Sequence, residues 1–222
     1  MNDQTSTLNW NADGVPISQR FDDPYYSLQD GLAETHHVFL QGNALSARFC
    51  DGFHVAELGF GTGLNLLATW KAWRESGVAG KLQFTSFEAF PLNHDDMREA
   101  LKAFPDLVGL CEELLLVLGE TGAQTPDLVF NLITGDARQT LPAWDGKADA
   151  WFLDGFSPAK NPELWEPTLM HAVGQHTQPN GTLATYTAAG HVRRALGDAG
   201  FDVQRVAGFG RKRHMTIGTL RP

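Results

Sequence analysis

Four short apolar runs, each closing on a carboxylate or a glycine, recur along the chain and alternate with stretches of helical period. Residues 53–58 contain Glu57 and end in Gly59-Phe60-Gly61-Thr62-Gly63; 82–87 ends at Glu88; 128–133 ends at Gly135-Asp136; 148–153 ends at Asp154-Gly155. Apolar runs of this length bounded by turn residues read as buried strands. Between them, Leu64, Leu67, Ala68 and Ala72 share one helical face, broken only by Lys71, up to a terminating Gly77. Further helical stretches are expected at 95–104, at 106–118, from Pro162 to about His176, and at 191–199 before Gly200. A turn at 179–181 leads into a strand at 182–187, and 201–207 and 214–219 read as the last two strands. Phe39-Leu40 reads as a short strand, and the first 35 residues as an irregular lead-in to a domain over 36–222. Strands alternating with helices predict an α/β protein with a parallel, doubly wound sheet. The last two strands are joined only by 208–213, too short for a parallel crossover, so they are expected to pair antiparallel.

A chain of 222 residues suits one large domain. With 42% hydrophobic and 19% charged residues it has the composition of a folded globule. No apolar run reaches the roughly 18 residues that span a bilayer, and Met1-Asn2-Asp3-Gln4 does not open a secretory signal. Cys50 and Cys111 have no framework spacing; both are expected as small core residues in a reducing cytoplasm. The net charge of -9 is unevenly placed: from His191 to Pro222, seven basic residues face only Asp198 and Asp202. That asymmetry permits an anionic partner without showing one, since a solvated basic face reads the same way.

Ligands of open parallel sheets bind outside the carboxyl ends of the strands, where this chain gathers its acidic residues. A dinucleotide fingerprint needs glycine at position 64, which is Leu64, and the Gly-Lys-Ser/Thr of a phosphate loop is absent. What stands here is Glu57-x-Gly59-x-Gly61-x-Gly63, a backbone open to a bulky ligand with a carboxylate suited to a cationic one. The pattern resembles the first motif of class I S-adenosylmethionine-dependent methyltransferases. The resemblance implies a Rossmann-like, mostly parallel seven-stranded sheet with an antiparallel last strand and helices on both faces. It also implies a cofactor site of Glu57, Gly59, Gly61, Thr62, Gly63, Asn65, Glu88, Asp136 and Asp154, with Glu88 on the ribose hydroxyls and Asp136 on the adenine amino group.

Longer segments narrow the resemblance. Asp30-Gly31-Leu32-Ala33-Glu34-Thr35, Val38-Phe39-Leu40-Gln41-Gly42-Asn43, Phe87-Glu88-Ala89-Phe90-Pro91, the run from Asp149 to Pro162 (which includes Trp151-Phe152-Leu153-Asp154-Gly155-Phe156-Ser157-Pro158-Ala159-Lys160-Asn161-Pro162) and Gly208-Phe209-Gly210-Arg211-Lys212-Arg213 are together similar to the methyltransferase domain of the bacterial bifunctional tRNA 5-methylaminomethyl-2-thiouridine biosynthesis family. The likeness runs from about Tyr25 to Gly218. It implies methyl transfer from S-adenosylmethionine to the amine of 5-aminomethyl-(2-thio)uridine at the tRNA wobble position, with no metal. Asp154 then acts on the amine, as base or as orienting acceptor. Phe156 and Pro158 form a wall for the extruded base or simply pack their loop. Lys160, Arg211, Lys212 and Arg213 become phosphate contacts, with Arg193 and Arg194 as further candidates. The family continues into a flavin-dependent oxidase, and this chain stops at Pro222. A free-standing enzyme or a fragment is therefore expected, without flavin in this chain, and a separate oxidase or other enzyme would supply the aminomethyl group. His214 stands where the family has an acidic residue. Tyr25 or Tyr26 is a candidate to close over the cofactor. An N-methyltransferase of small amines and a non-catalytic binding module are the competing readings. The eight histidines include no HExxH and no Cys partners. The six tryptophans read as core or amphipathic surface.

Overall fold

A computed structural model describes residues 8–27 and 30–222. The first seven positions of the lead-in, Met1 to Gln4 included, and positions 28 and 29 lie outside the described residues. The chain opens with three short strands, β1 (Leu8–Trp10), β2 (Pro16–Ser18) and β3 (Asp23–Pro24), paired antiparallel in that order. The Asn11 side chain accepts from the backbone N–H groups of Asp13 and Val15 and so closes the first hairpin. The lead-in is therefore structured over this part, not irregular. Helix α1 (Gly31–Thr35), capped by Asp30, continues into a wider-wound helical stretch over His36–Gln41, followed by α2 (Leu45–Arg48). Phe39 and Leu40 thus lie in a helix, not in the expected strand. Both are buried, and a short apolar run has no periodicity that separates a buried strand from a buried helix.

The main sheet then follows: β4 (His54–Leu58), α3 (Leu64–Ser76), β5 (Leu82–Glu88), α4 (His94–Leu101), α5 (Pro105–Val117), β6 (Gly122–Gln124), β7 (Leu128–Thr134), α6 (Ala137–Thr140), β8 (Ala148–Leu153), a 3₁₀ turn at Pro162–Trp165, α7 (Pro167–Gln175), β9 (Thr177–Thr185), α8 (Gly190–Asp198), β10 (Phe201–Ala207) and β11 (His214–Leu220). The strand order is β10-β11-β9-β8-β4-β5-β7-β6. Neighbours from β9 to β7 run parallel, and β11 lies antiparallel between β9 and β10, as the short loop requires. The sheet has eight strands where the family pattern predicts seven. The extra one, β6, is a three-residue antiparallel edge strand turned by Gly122 at φ +131, too short to show an alternating pattern in sequence.

Two further expectations shift. The helix from Pro162 is split by Pro167, whose ring cannot donate to a continuing turn. Strand β9 begins at Thr177 and carries Pro179-Asn180-Gly181 inside it, with Asn180 at φ +60 and the register against β8 slipping between Ala148 and Ala150. The apparent turn is a bulge in a strand.

Successive strand residues point to opposite faces, and β8 shows the consequence. Ala150 and Phe152 enter the core with Trp70, Phe84 and Phe130, while Trp151 and Leu153 enter the other with Leu169, Met170 and Phe201. Burying a side chain of the Leu or Phe class contributes roughly 1.5–3 kcal/mol, so helices on both faces are what make the sheet stable. Helix α3 is buried on most sides, including Asn65 and Thr69, and ends at Gly77 with φ +69. Of the two thiols, Cys111 is in the core and Cys50 is exposed, so only one is the core residue expected. No helix among the described residues is long and apolar enough to cross a membrane.

Candidate active site

The strand order reverses at β4: the chain fills one side of it with β5 and β7 and the other with β8 and β9. The carboxyl ends of β4, β5, β7 and β8 therefore converge, and a cavity of about 900 Å³ opens above them. The glycine loop lets the strand ends meet. Gly59 has φ +90, and a Cβ there would stand 2.1 Å from the Asp154 carbonyl oxygen, so β4 lies against β8 only because that position has no side chain. Gly61 has φ +54 and lies under the ring of Tyr25. Glu88 closes the loop from β5: its two oxygens accept the backbone N–H groups of Gly61 (3.1 Å) and Phe90 (2.8 Å). Each oxygen keeps a lone pair for a ligand hydroxyl.

Behind the loop, Asn65 joins two carboxyl groups. Its amide donates to Glu57 Oε1 at 2.8 Å and to Asp154 Oδ2 at 2.7 Å, and its own oxygen accepts from Thr35 Oγ1 at 2.8 Å. The Ser86 hydroxyl donates to Glu57 Oε2 at 2.6 Å. Glu57 is fully buried, and burial pushes its carboxyl well above the ordinary range despite these donors. Burial likewise raises Asp154, to about 7; the Asn65 hydrogen bond opposes that rise, Glu34 adds to it, and Lys212 counters it. Asp154 faces the cavity, whereas Glu57 does not line it. Glu57 thus supports Asn65 from behind the cavity wall.

The N-terminal arm forms the outer wall. Phe21 stacks on Phe156 with ring centroids 4.7 Å apart, and Tyr25 meets the same ring edge-on at 5.1 Å. Asp23 Oδ2 accepts the Ser157 N–H at 2.8 Å, and Asp22 pairs with Lys160 at 2.7 Å. Of the two candidate tyrosines, Tyr25 lines the cavity beside Gly61. The Tyr26 hydroxyl is turned to Ala100 O at 3.1 Å.

Other expected residues divide. Thr62 and Asn65 line the cavity, but Gly63 sits behind it against Phe60 and Met97. Asp136 is on the wall, caps α6 and is held by the Arg138 guanidinium at 2.7 Å, which keeps its carboxyl below the ordinary range. Pro158 and Lys160 lie off the cavity wall, and the Lys160 ammonium is paired with Asp22 at the surface. Lys212, expected at a phosphate, points inward: its ammonium is 2.8 Å from Glu34 and 4.0 Å from the centre of the Tyr186 ring. Arg211 stands at the rim and Arg213 is exposed beyond it. Arg193 and Arg194, on α8, do not line the cavity. Glu34, Tyr186, Phe21 and Phe209 also line the site; Glu34 and Phe209 stand in segments that carry the resemblance but without an assigned role, and Phe21 and Tyr186 are revealed only by their placement. Among the described residues, no cluster of three or more His, Cys, Asp or Glu side chains is arranged to hold a metal.

The chain is 45% identical over 234 residues to the tRNA 5-methylaminomethyl-2-thiouridine biosynthesis bifunctional protein MnmC of Pseudomonas aeruginosa, an alignment covering 98% of this chain and 35% of that protein. It spans about a third of the length of that relative. MnmC2 from Aquifex aeolicus superposes with a TM-score of 0.79 at 26% identity, over 100% of this chain and 73% of the other. Spermidine synthase from Thermotoga maritima shares the fold, with a TM-score of 0.61 at 10% identity over 96% and 71% of the two chains. A model of S-adenosyl-L-methionine-dependent methyltransferases matches residues 111–221, half of the chain. On that match, and on a glycine loop that opens a cavity over four convergent strand ends, the chain belongs to the S-adenosyl-L-methionine-dependent methyltransferase family.

Proposed function

We propose that the protein is a tRNA-modifying enzyme that methylates the amine of 5-aminomethyl-(2-thio)uridine at the wobble position, giving 5-methylaminomethyl-(2-thio)uridine. The observation that carries this reading is Asp154: a carboxylate at the cavity floor, aimed by Asn65, with a pKa near 7, beneath an aromatic wall of Phe21, Tyr25 and Phe156. The likeness to MnmC over nearly the whole chain supports the choice of acceptor. An enzyme acting on a base atom must hold that base unstacked, and the aromatic wall suits a flipped pyrimidine.

Gly59, Gly61 and Thr62 would hold the cofactor, with Glu88 on the ribose and Asp136 toward the adenine. When bound, S-adenosyl-L-methionine supplies a methyl group on a sulfonium: the nitrogen lone pair forms the N–C bond as the C–S bond breaks, and that pair stays on sulfur. An ammonium has no lone pair, so the acceptor must first lose a proton. Asp154 is placed to take it, and its raised pKa brings it close to working pH, where a general base is most effective. Asn65 fixes the direction of the carboxylate, and Glu57 and Thr35 fix Asn65. The aminomethyl group is supplied by another activity, a flavin-dependent oxidase or a different enzyme.

The test is methyl transfer from labelled S-adenosylmethionine to tRNA carrying 5-aminomethyluridine. Label is expected in the wobble uridine, and Asp154→Asn is expected to slow transfer by about 10²–10⁴-fold. Cofactor binding without label in tRNA would sink the acceptor assignment and turn attention to small amines.

A further inference from the structure

Lys212 has no part in the reaction as described, yet it occupies the acceptor side of the cavity. It lies on the loop between β10 and β11 and reaches inward, its ammonium 2.8 Å from Glu34 Oε1 on α1 and 4.0 Å from the Tyr186 ring centre. The Tyr186 hydroxyl donates to Gly155 O at 2.6 Å, which sets that ring beside Asp154. The Glu34 side chain is only 12% exposed and lines the same cavity. The charged and titratable groups facing this point are Glu34 from α1, Asp154 from the end of β8 with Glu57 behind it, Asp23 from the N-terminal arm, Tyr186 after β9, and Arg211 beside Lys212. An amine entering this space meets two carboxylates, Glu34 and Asp154, while Asp23 is held by the Ser157 N–H. Left free, the pair would clamp it as an ammonium, the form that cannot react.

We infer that Lys212 is a built-in counter-ion that occupies Glu34, leaves Asp154 to meet the amine, and by its fixed charge disfavours the ammonium form. The inference rests on the amine-acceptor reading above. The proton balance is simple: one proton passes from the substrate ammonium to the Asp154 carboxylate, the freed lone pair attacks, and Asp154 returns the proton to solvent after turnover. A fixed like charge within about 4–6 Å lowers an amine's pKa, and the same charge favours ionised Asp154. Both effects of Lys212 therefore act in one direction, and Glu34 acts in the other.

Removing the two ends of this one ion pair thus has opposite consequences. The experiment measures single-turnover methyl transfer and substrate KM across the acid limb of the pH profile, for the wild-type protein, Lys212→Met, Lys212→Arg and Glu34→Gln. Lys212→Met is expected to move the acid limb up by about one pH unit, with KM and kcat falling together because the ammonium is now bound too well, and to recover rate at alkaline pH. Lys212→Arg should keep the wild-type limb, and Glu34→Gln should move it down. A merely structural ion pair would give both neutralising variants the same loss with an unshifted limb, and that result overturns the inference. Wild-type protein that transfers no methyl to the amine overturns the acceptor reading and this inference with it. Transfer with unshifted limbs overturns the inference alone.

Discussion

Asp154 and Glu57 are acids whose ionised forms the folded chain disfavours, and this ties stability to pH. The folded-state pKa of Asp154, about 7, lies above its ordinary 3.8, so the folded protein holds that proton more tightly than the unfolded one. The stability this contributes is fully present below about 3.8 and is lost as pH rises through about 7. Asp154→Asn should therefore be more stable than the wild type by a margin that grows over this window and then levels off. A gain of at least about 1 kcal/mol, or roughly 2–4 °C in Tm, is expected above pH 7. Thermal unfolding at several pH values measures it, and a margin that does not change with pH would refute it. A loss of activity with a gain of stability is the signature of a residue kept for chemistry. At this scale the sequence was legible where a residue sits at a strand end: Glu88, Asp136 and Asp154 all reach the cavity. It was not legible where side-chain direction decides. Lys160 and Lys212 look alike as basic loop residues, yet one is tied to Asp22 outside the cavity and the other turns into it. Glu34 sits in a helix whose placement depends on contacts far along the chain.

Among the elements, the N-terminal arm does the least for the core and the most for the cavity. Strand β3 and its flanks hold the loop after β8 through the Asp23–Ser157 hydrogen bond, the Asp22–Lys160 pair and the Phe21–Phe156 stack. Asp23→Ala is expected to expose the Ser157 amide, so that hydrogen exchange there speeds up while amides in β4 and β8 stay protected. Equal acceleration in the sheet would mean that the arm belongs to the global fold. The sheet itself was readable because its strands are apolar runs ending in turn residues. The arm was not, since its three strands are only two or three residues long, too short to show a period. Nor was the bulge in β9, where Pro179-Asn180-Gly181 has the composition of a turn but bulges within the strand between the paired Thr177 and Thr182.

For the molecule as a whole, the surplus of acid hides a local basic edge. Arg205 on β10 lies diagonally across from His214 on β11, and Arg213 and Arg193 approach from the neighbouring loop and α8. Partial burial and these three charges hold the His214 imidazole below its ordinary pKa. The edge adjoins the rim at Arg211, where a bound nucleic acid would pass. Neutralising Arg205 or Arg213 should weaken tRNA binding evenly across sequences and reduce the slope of log affinity against log salt by about one each. Lys160→Ala should leave that slope unchanged, because its charge is already matched by Asp22. Slopes from titrations at several salt concentrations separate these outcomes.

The partners of the arm and of α1 lie far downstream: 134 positions separate Asp23 from Ser157, 138 separate Asp22 from Lys160, and 178 separate Glu34 from Lys212. At about 5–20 residues per second of synthesis, the arm leaves the ribosome on the order of ten seconds before the residues it closes upon. A nascent chain halted inside β10 already contains β4, β5, β7, β8 and β9, but not Lys212. Such a chain holds the strand ends that face the cofactor but not the Lys212 partner of Glu34, so the acceptor side of the cavity is finished only as synthesis of the last hairpin is completed.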